Sequence, residues 1–148
     1  VATHLHRAYS YSTNMTSTAE SNRIESARRL AIDAARLAAA THCTHVVILD
    51  VRGLCPITDF LVITTGTSPR QMRTVAEEVM EMAEQRGDRP LSSNGLEGGS
   101  WIIADFIDVI LHVFSPEARS YYDLDNLWGD ARRVEWEPTS ADEIARIR

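Results

Sequence analysis

The chain has 148 residues, 44% of them hydrophobic and 24% charged, an ordinary make-up for one packed domain with short tails. Its net charge of −6 argues against nonspecific nucleic-acid binding and favours a basic partner surface. All 15 basic residues are arginine, which rules out a P-loop lysine, a Schiff-base lysine and a lysine general base. The longest largely apolar run, Val109 to Phe114 with His112 inside it, is strand-sized and far below the ~20 residues needed to span a bilayer. Cys43 and Cys55 form neither a C-x-x-C pair nor a disulfide framework, and read as buried, reduced thiols of a cytosolic protein.

Residues 1–20 are rich in Ser and Thr, show no apolar period and hold no acid before Glu20. They are expected to form a disordered tail, with translation starting at Met15; a transit peptide is the competing reading, and the single Arg7 speaks against it. Asn22 and Glu25 make a capping-box pattern that opens a helix. On it Ile24, Ala27, Ala31, Ala34, Leu37 and Ala38 recur on one face, with Arg28, Arg29, Asp33 and Arg36 towards the other. A face built mostly of alanine can lie close against a sheet. Val46 to Val51 and Asp59 to Thr65 read as buried strands. Ser68, Pro69 and Gln71 supply a cap, a first-turn proline and a capping-box glutamine for a second helix. Its buried face is Met72, Val75, Val79 and Met82, and Gly87 follows its last turn. A short extended piece after Pro90 leads through Asn94-Gly95 and Gly98-Gly99. Trp101 to Ala104 and Val109 to Leu111 form a hairpin around the turn Asp105 to Asp108. Ser115 and Pro116 start a terminal helix with Tyr121, Leu124, Leu127, Trp128 and Ala131 on one stripe, so that Leu124 and Leu127 are expected in the core. Ser140 and Glu143 sit in capping-box positions for a further short helix within residues 138–148. The order of elements gives an α/β domain over residues 21–137, a mixed sheet of about five strands flanked by helices.

Two groups of residues invite chemistry. The loop Thr65-Gly66-Thr67-Ser68 leads from a strand into a capped helix, where free amides and the helix dipole favour an anion, with Arg70 adding charge. Together with Asp105 and Asp108 this layout resembles that of nucleotidyltransferases, in which a Gly-Ser loop holds triphosphate and paired carboxylates hold magnesium. The spacing works against it, because i and i+3 do not share a strand face, and the two aspartates are expected to hydrogen-bond the turn backbone instead. His42, Cys43 and His45 lack the further ligands a metal needs, and are expected as surface loop residues. A lone His112 inside a strand calls for one hydrogen bond to its ring. No metal and no cofactor is expected. Surfaces remain: Trp101, Tyr121, Tyr122 and Trp128 stand among Asp105, Asp108, Asp123, Asp125 and Asp130. Aromatics ringed by acids suit a partner that shows Arg or Lys beside an apolar patch.

Arg119, Tyr122, Leu124, Asp125, Leu127 and Trp128 resemble the R-x-x-Y-x-L-E-x-L-W ending of the Iojap family, the ribosomal silencing factors. LDVRGL (Leu49 to Leu54), TDFLVITTGTSPRQ (Thr58 to Gln71), LEGG (Leu96 to Gly99) and WIIADFIDVILHVF (Trp101 to Phe114) resemble its other blocks, in the same order. Asp125 stands where that pattern has Glu, Ile107 where a turn glycine is common, and the link from Gly98 to Trp101 is short. The resemblance implies a nucleotidyltransferase-like topology without catalysis. It also implies a cytoplasmic bacterial protein that is a homodimer when free. Its implied partner is ribosomal protein L-fourteen on the large ribosomal subunit, where it would block joining of the small subunit. The aromatic and acidic surface, taken with the family-like ending, gives the expected contact residues as Trp101, Asp105, Asp108, Arg119, Tyr121, Tyr122, Asp125, Leu127, Trp128 and Asp130.

Overall fold

The structure is a computed structural model that describes residues 2–138, with side chains from residue 17 onward. Helix α1 (Ala2–Ala40) leads into β1 (Thr44–Asp50), β2 (Phe60–Thr65), α2 (Pro69–Gln85) and β3 (Ser92–Asn94). The hairpin β4 (Trp101–Asp105) and β5 (Val109–Phe114) follows, then α3 (Pro116–Tyr122), α4 (Leu124–Leu127) and β6 (Arg132–Arg133). The strands form one mixed sheet in the order β3-β4-β5-β2-β1-β6, in which β2 and β5 run parallel and the other neighbours antiparallel.

Alternation along the strands gives the sheet two faces. Ile48, Phe60, Val62, Ile102, Ala104, Val109, Leu111 and Val113 pack on α1 and α2. The alanine face of α1 meets the sheet as expected: Ala31, Ala34, Ala35 and Ala38 are buried in one cluster with Ile48, Phe60 and Val62, and the same cluster takes in Met72, Val75 and Val79 of α2. Each fully buried aliphatic side chain contributes about 1.5–3 kcal/mol. The opposite face carries Leu49, Leu61, Ile63 and Phe114, and is roofed by Ala118, Leu124 and Trp128 from the terminal segment. Beyond β1 the sheet edge is closed by β6, by Val134 donating to the Ile48 carbonyl (3.0 Å) and by Trp136 Nε1 donating to Val46 (3.1 Å).

Several expectations need correction. α1 does not start at Asn22: its helical backbone runs through that position from Ala2, across the stretch expected as a tail. Once the packed half of a helix is fixed, further turns are added without the nucleation cost. Asp33, placed on the outer face by the sequence, is only 5% exposed and pairs with Arg86 at the end of α2 at 2.5 Å. The terminal helix is broken: Asp123 adopts the left-handed region (φ 47, ψ 52), ending α3 and starting α4 in a new direction. Aspartate tolerates that region better than most residues. Cys43 is buried, as the thiol reading expected and against its grouping with the surface loop residues His42 and His45, while Cys55 is only partly buried. The helix proposed around Ser140 and Glu143 lies outside the described residues.

Two helix ends show one device with different residues. After α2, Gly87 (φ 83) donates to Glu84 and Asp88 to Ala83, both at about the usual hydrogen-bond length. After α1, His42 (φ 71) donates to Ala39 and Cys43 to Ala38 in the same pattern. His42 thus holds a position that favours glycine.

Candidate docking surface

The hairpin β4–β5 places Trp101, Ile103 and Asp105 beside Phe114, His112 and Ile110 on the roofed face. The roof stops short of them, so Trp101, Ile103 and Ile110 stay partly exposed. Trp101 stacks on Phe114 (centroids 4.9 Å) and meets Tyr122 of α3 at 4.4 Å, with Tyr121 edge-on to Tyr122 at 5.0 Å. Tyr121 is 82% exposed. A graded cluster results, from buried Phe114 through partly exposed Trp101 to the projecting tyrosines.

Below it Trp101 Nε1 donates to His112 Nδ1 at 3.0 Å. That bond requires an unprotonated Nδ1, so His112 is the neutral tautomer carrying its proton on Nε2. Burial between Ile63 and Ile103, its partners in register, lowers the His112 pKa from 6.5 to about 4. The single hydrogen bond expected for this ring is therefore the one that orients Trp101.

Arg119 holds the tyrosine-bearing corner in place. Its Nε and Nη2 donate to the two oxygens of Asp125 at 2.9 and 3.0 Å. Its Nη1 donates to the His45 carbonyl (2.9 Å) and to Thr65 Oγ1 (3.1 Å). The clamp ties α3 and α4 to β1 and β2 across the Asp123 corner, and the guanidinium helps hold the Asp125 carboxyl below the usual carboxylate range against its burial. Aspartate, where the resembled pattern has glutamate, still reaches both nitrogens. His45, which offers the carbonyl, sits in a β-bulge between Thr44 and Val47 with φ 49.

The ten residues named from the sequence do not form one patch. Trp101, Tyr121 and Tyr122 come together. Arg119 and Asp125 act behind them as the clamp. Leu127, expected in the core, is 70% exposed because the break at Asp123 turns it outward. Trp128 packs partly buried on the roofed face, and Asp130 is exposed beside it. Asp105 and Asp108 lie at the far end of the hairpin. Asp105 Oδ1 accepts from Ile107 N (2.8 Å), and Asp108 Oδ1 accepts from Arg23 Nη1 (2.8 Å). Sequence reading passed over Ile103, Ile110 and the Trp101–His112 bond, although period-two alternation of the hairpin contained them.

The candidate anion loop is occupied by its own chain. Gly66 N donates to Phe114 O (2.8 Å), Thr67 N to Gln71 Oε1 (2.6 Å) and Gln71 N to Ser68 Oγ (3.1 Å). Gly66 answers a packing need, since a Cβ there would lie 2.2 Å from Met72 Cγ. Arg70 is exposed beside the loop. Among the described residues no cluster of three His, Cys, Asp or Glu is placed to hold a metal, and no helix is long and apolar enough to cross a membrane.

The chain is similar to known proteins in both sequence and fold. The family model described as ribosomal silencing factor during starvation matches residues 24–147. A ribosomal silencing factor from Halalkalibacterium halodurans is 39% identical over 93 residues, covering 63% of this chain and 80% of the relative. A chloroplastic Iojap protein from Zea mays is 30% identical over 105 residues, 71% of this chain and 46% of its own. A crystal structure of a protein from Chromobacterium violaceum superposes with a TM-score of 0.65 at 30% identity, covering 80% of this chain and 95% of its own.

Proposed function

The chain belongs to the ribosomal silencing factor family, and from that premise we propose that it binds ribosomal protein L-fourteen on the large ribosomal subunit and represses translation by excluding the small subunit. The observation that carries this reading is the Trp101–Tyr122–Tyr121 cluster, an aromatic surface left open by the roof in a protein of net charge −6. Aromatic anchors of this kind supply most of the free energy of protein interfaces, and the chain's negative net charge matches a basic ribosomal protein. Exclusion needs no turnover: two bodies that require one surface compete by occupancy, and silencing follows concentration over Kd. The carboxylates of the enzyme alternative serve the turn backbone and Arg23 instead.

Free protein is proposed to be a homodimer in the bacterial cytoplasm, with self-association and ribosome binding competing if they share the aromatic surface. The test is sedimentation of purified chain with isolated large subunits. Tyr122→Ala is the informative variant, because Tyr122 is half exposed whereas Trp128 packs on the core. A hot-spot loss of about 2 kcal/mol weakens binding ~30-fold. A folded Tyr122→Ala protein that co-sediments like wild type removes this anchor from the proposal.

A further inference from the structure

A second apolar site lies at the other end of the β4–β5 hairpin, some six residues from Trp101. Phe106 and Asp108 are joined by a bond from Asp108 N to Phe106 O (3.0 Å), with Ile107 between them at φ 74. This is the strained form of the three-residue turn, which natural chains use rarely. Eight described residues have positive φ; four are glycine, and of the others (His42, His45, Asp123 and Ile107) only Ile107 is β-branched. Branching at Cβ makes that backbone region most costly. The turn is held by the Asp105 carboxylate accepting from Ile107 N, and the isoleucine side chain is left 56% exposed. A glycine would make the same turn without strain, so folding alone gives no reason for isoleucine.

Its neighbours share the pattern. Leu91 N donates to Asp105 O (2.7 Å) and Asp59 N to Asp108 O (3.1 Å), which brings Leu91 and the loop before Asp59 to the same sheet end. Leu91 is 68% and Ile57 73% exposed. Around them Glu20, Asp59 and Asp108 all converge on the single guanidinium of Arg23, at 2.8, 2.7 and 2.8 Å, which leaves an excess of negative charge. An apolar centre with an acidic rim repels a phosphate backbone and fits a basic protein surface.

We infer that Ile107, flanked by Leu91 and Ile57, is a second anchor for the same basic large-subunit protein, so that the partner spans the hairpin from Tyr122 to the strained turn. This rests on the proposed function. Strain kept at an exposed apolar residue is then the cost of presenting it.

The experiment measures Kd for purified large subunits and thermal stability for wild type, Ile107→Gly, Ile107→Asn and the double variant with Tyr122→Ala. Both substitutions suit positive φ and remove the apolar side chain. Tm is expected to rise by about 3 °C for Ile107→Gly, while Kd weakens roughly tenfold for both. A Kd equal to wild type in folded Ile107→Gly and Ile107→Asn overturns the inference and leaves the functional reading standing. Variants that lose self-association but bind subunits normally also overturn it, assigning the patch to a second copy. Wild-type chain that ignores large subunits overturns the functional reading and this inference with it.

Discussion

Acid should loosen the docking surface from beneath. His112 accepts from Trp101 Nε1 only while Nδ1 is unprotonated, and burial lowers its pKa from 6.5 to about 4. The unfolded chain therefore binds this proton near pH 6.5, whereas the folded chain refuses it until about pH 4. Between those values the unfolded state holds more protons, so stability falls as pH falls. The full difference, from 6.5 to about 4, corresponds to roughly 3 kcal/mol. Urea unfolding at several pH values from 7.5 down to 4.5 would measure it, with His112→Gln as reference because a Gln oxygen can accept from the indole without titrating. Carboxylates held low by arginine, such as Asp50 and Asp125, act alike in both proteins and cancel in the difference. Wild type should lose about 2 kcal/mol more than His112→Gln between pH 6.5 and pH 4.5. Equal pH dependence in the two proteins would refute the buried, neutral histidine.

Three substitutions probe other joints of the fold. His42→Gly should stabilise by about 1 kcal/mol, read as a higher urea midpoint, because φ 71 suits glycine and Gly87 already serves this role after α2. Arg86→Ala should destabilise by about 2 kcal/mol in the same assay, since it strands the buried Asp33 carboxylate; the half-exposed arginine keeps the loss below that of a fully buried pair. Gly95→Ala should cost more than about 2 kcal/mol and alter tryptophan fluorescence: Gly95 has φ 85, and a Cβ there would lie 1.9 Å from the Trp101 carbonyl oxygen.

The elements with strong local chemistry were legible in the sequence. Ser68, Pro69 and Gly87 bound α2 where their caps predicted, and β-branched runs marked β1, β2 and the hairpin. Gln71 shows how far a motif reads: it completes the cap, but its oxygen takes Thr67 N, an amide that an anion would need, and its nitrogen donates to the Thr41 carbonyl. What stayed hidden depended on long-range partners or on one backbone angle. Asp33 looked like an outer-face acid because Arg86 is remote in sequence. The helical stripe through Leu124 and Leu127 ignored the possibility of a left-handed Asp123, and a single φ there moved Leu127 into solvent. The Trp101–His112 bond is a diagonal contact across the hairpin, recoverable once the register Trp101↔Phe114 is known.

The most direct measurement follows subunit joining while the chain is titrated onto isolated large subunits, with bound chain and joined ribosomes quantified on the same gradients. Steric exclusion predicts that joined ribosomes decline in proportion to large subunits occupied, and that Tyr122→Ala shifts both curves together to ~30-fold higher concentration. Large subunits saturated with the chain that still join small subunits at the normal level would contradict it.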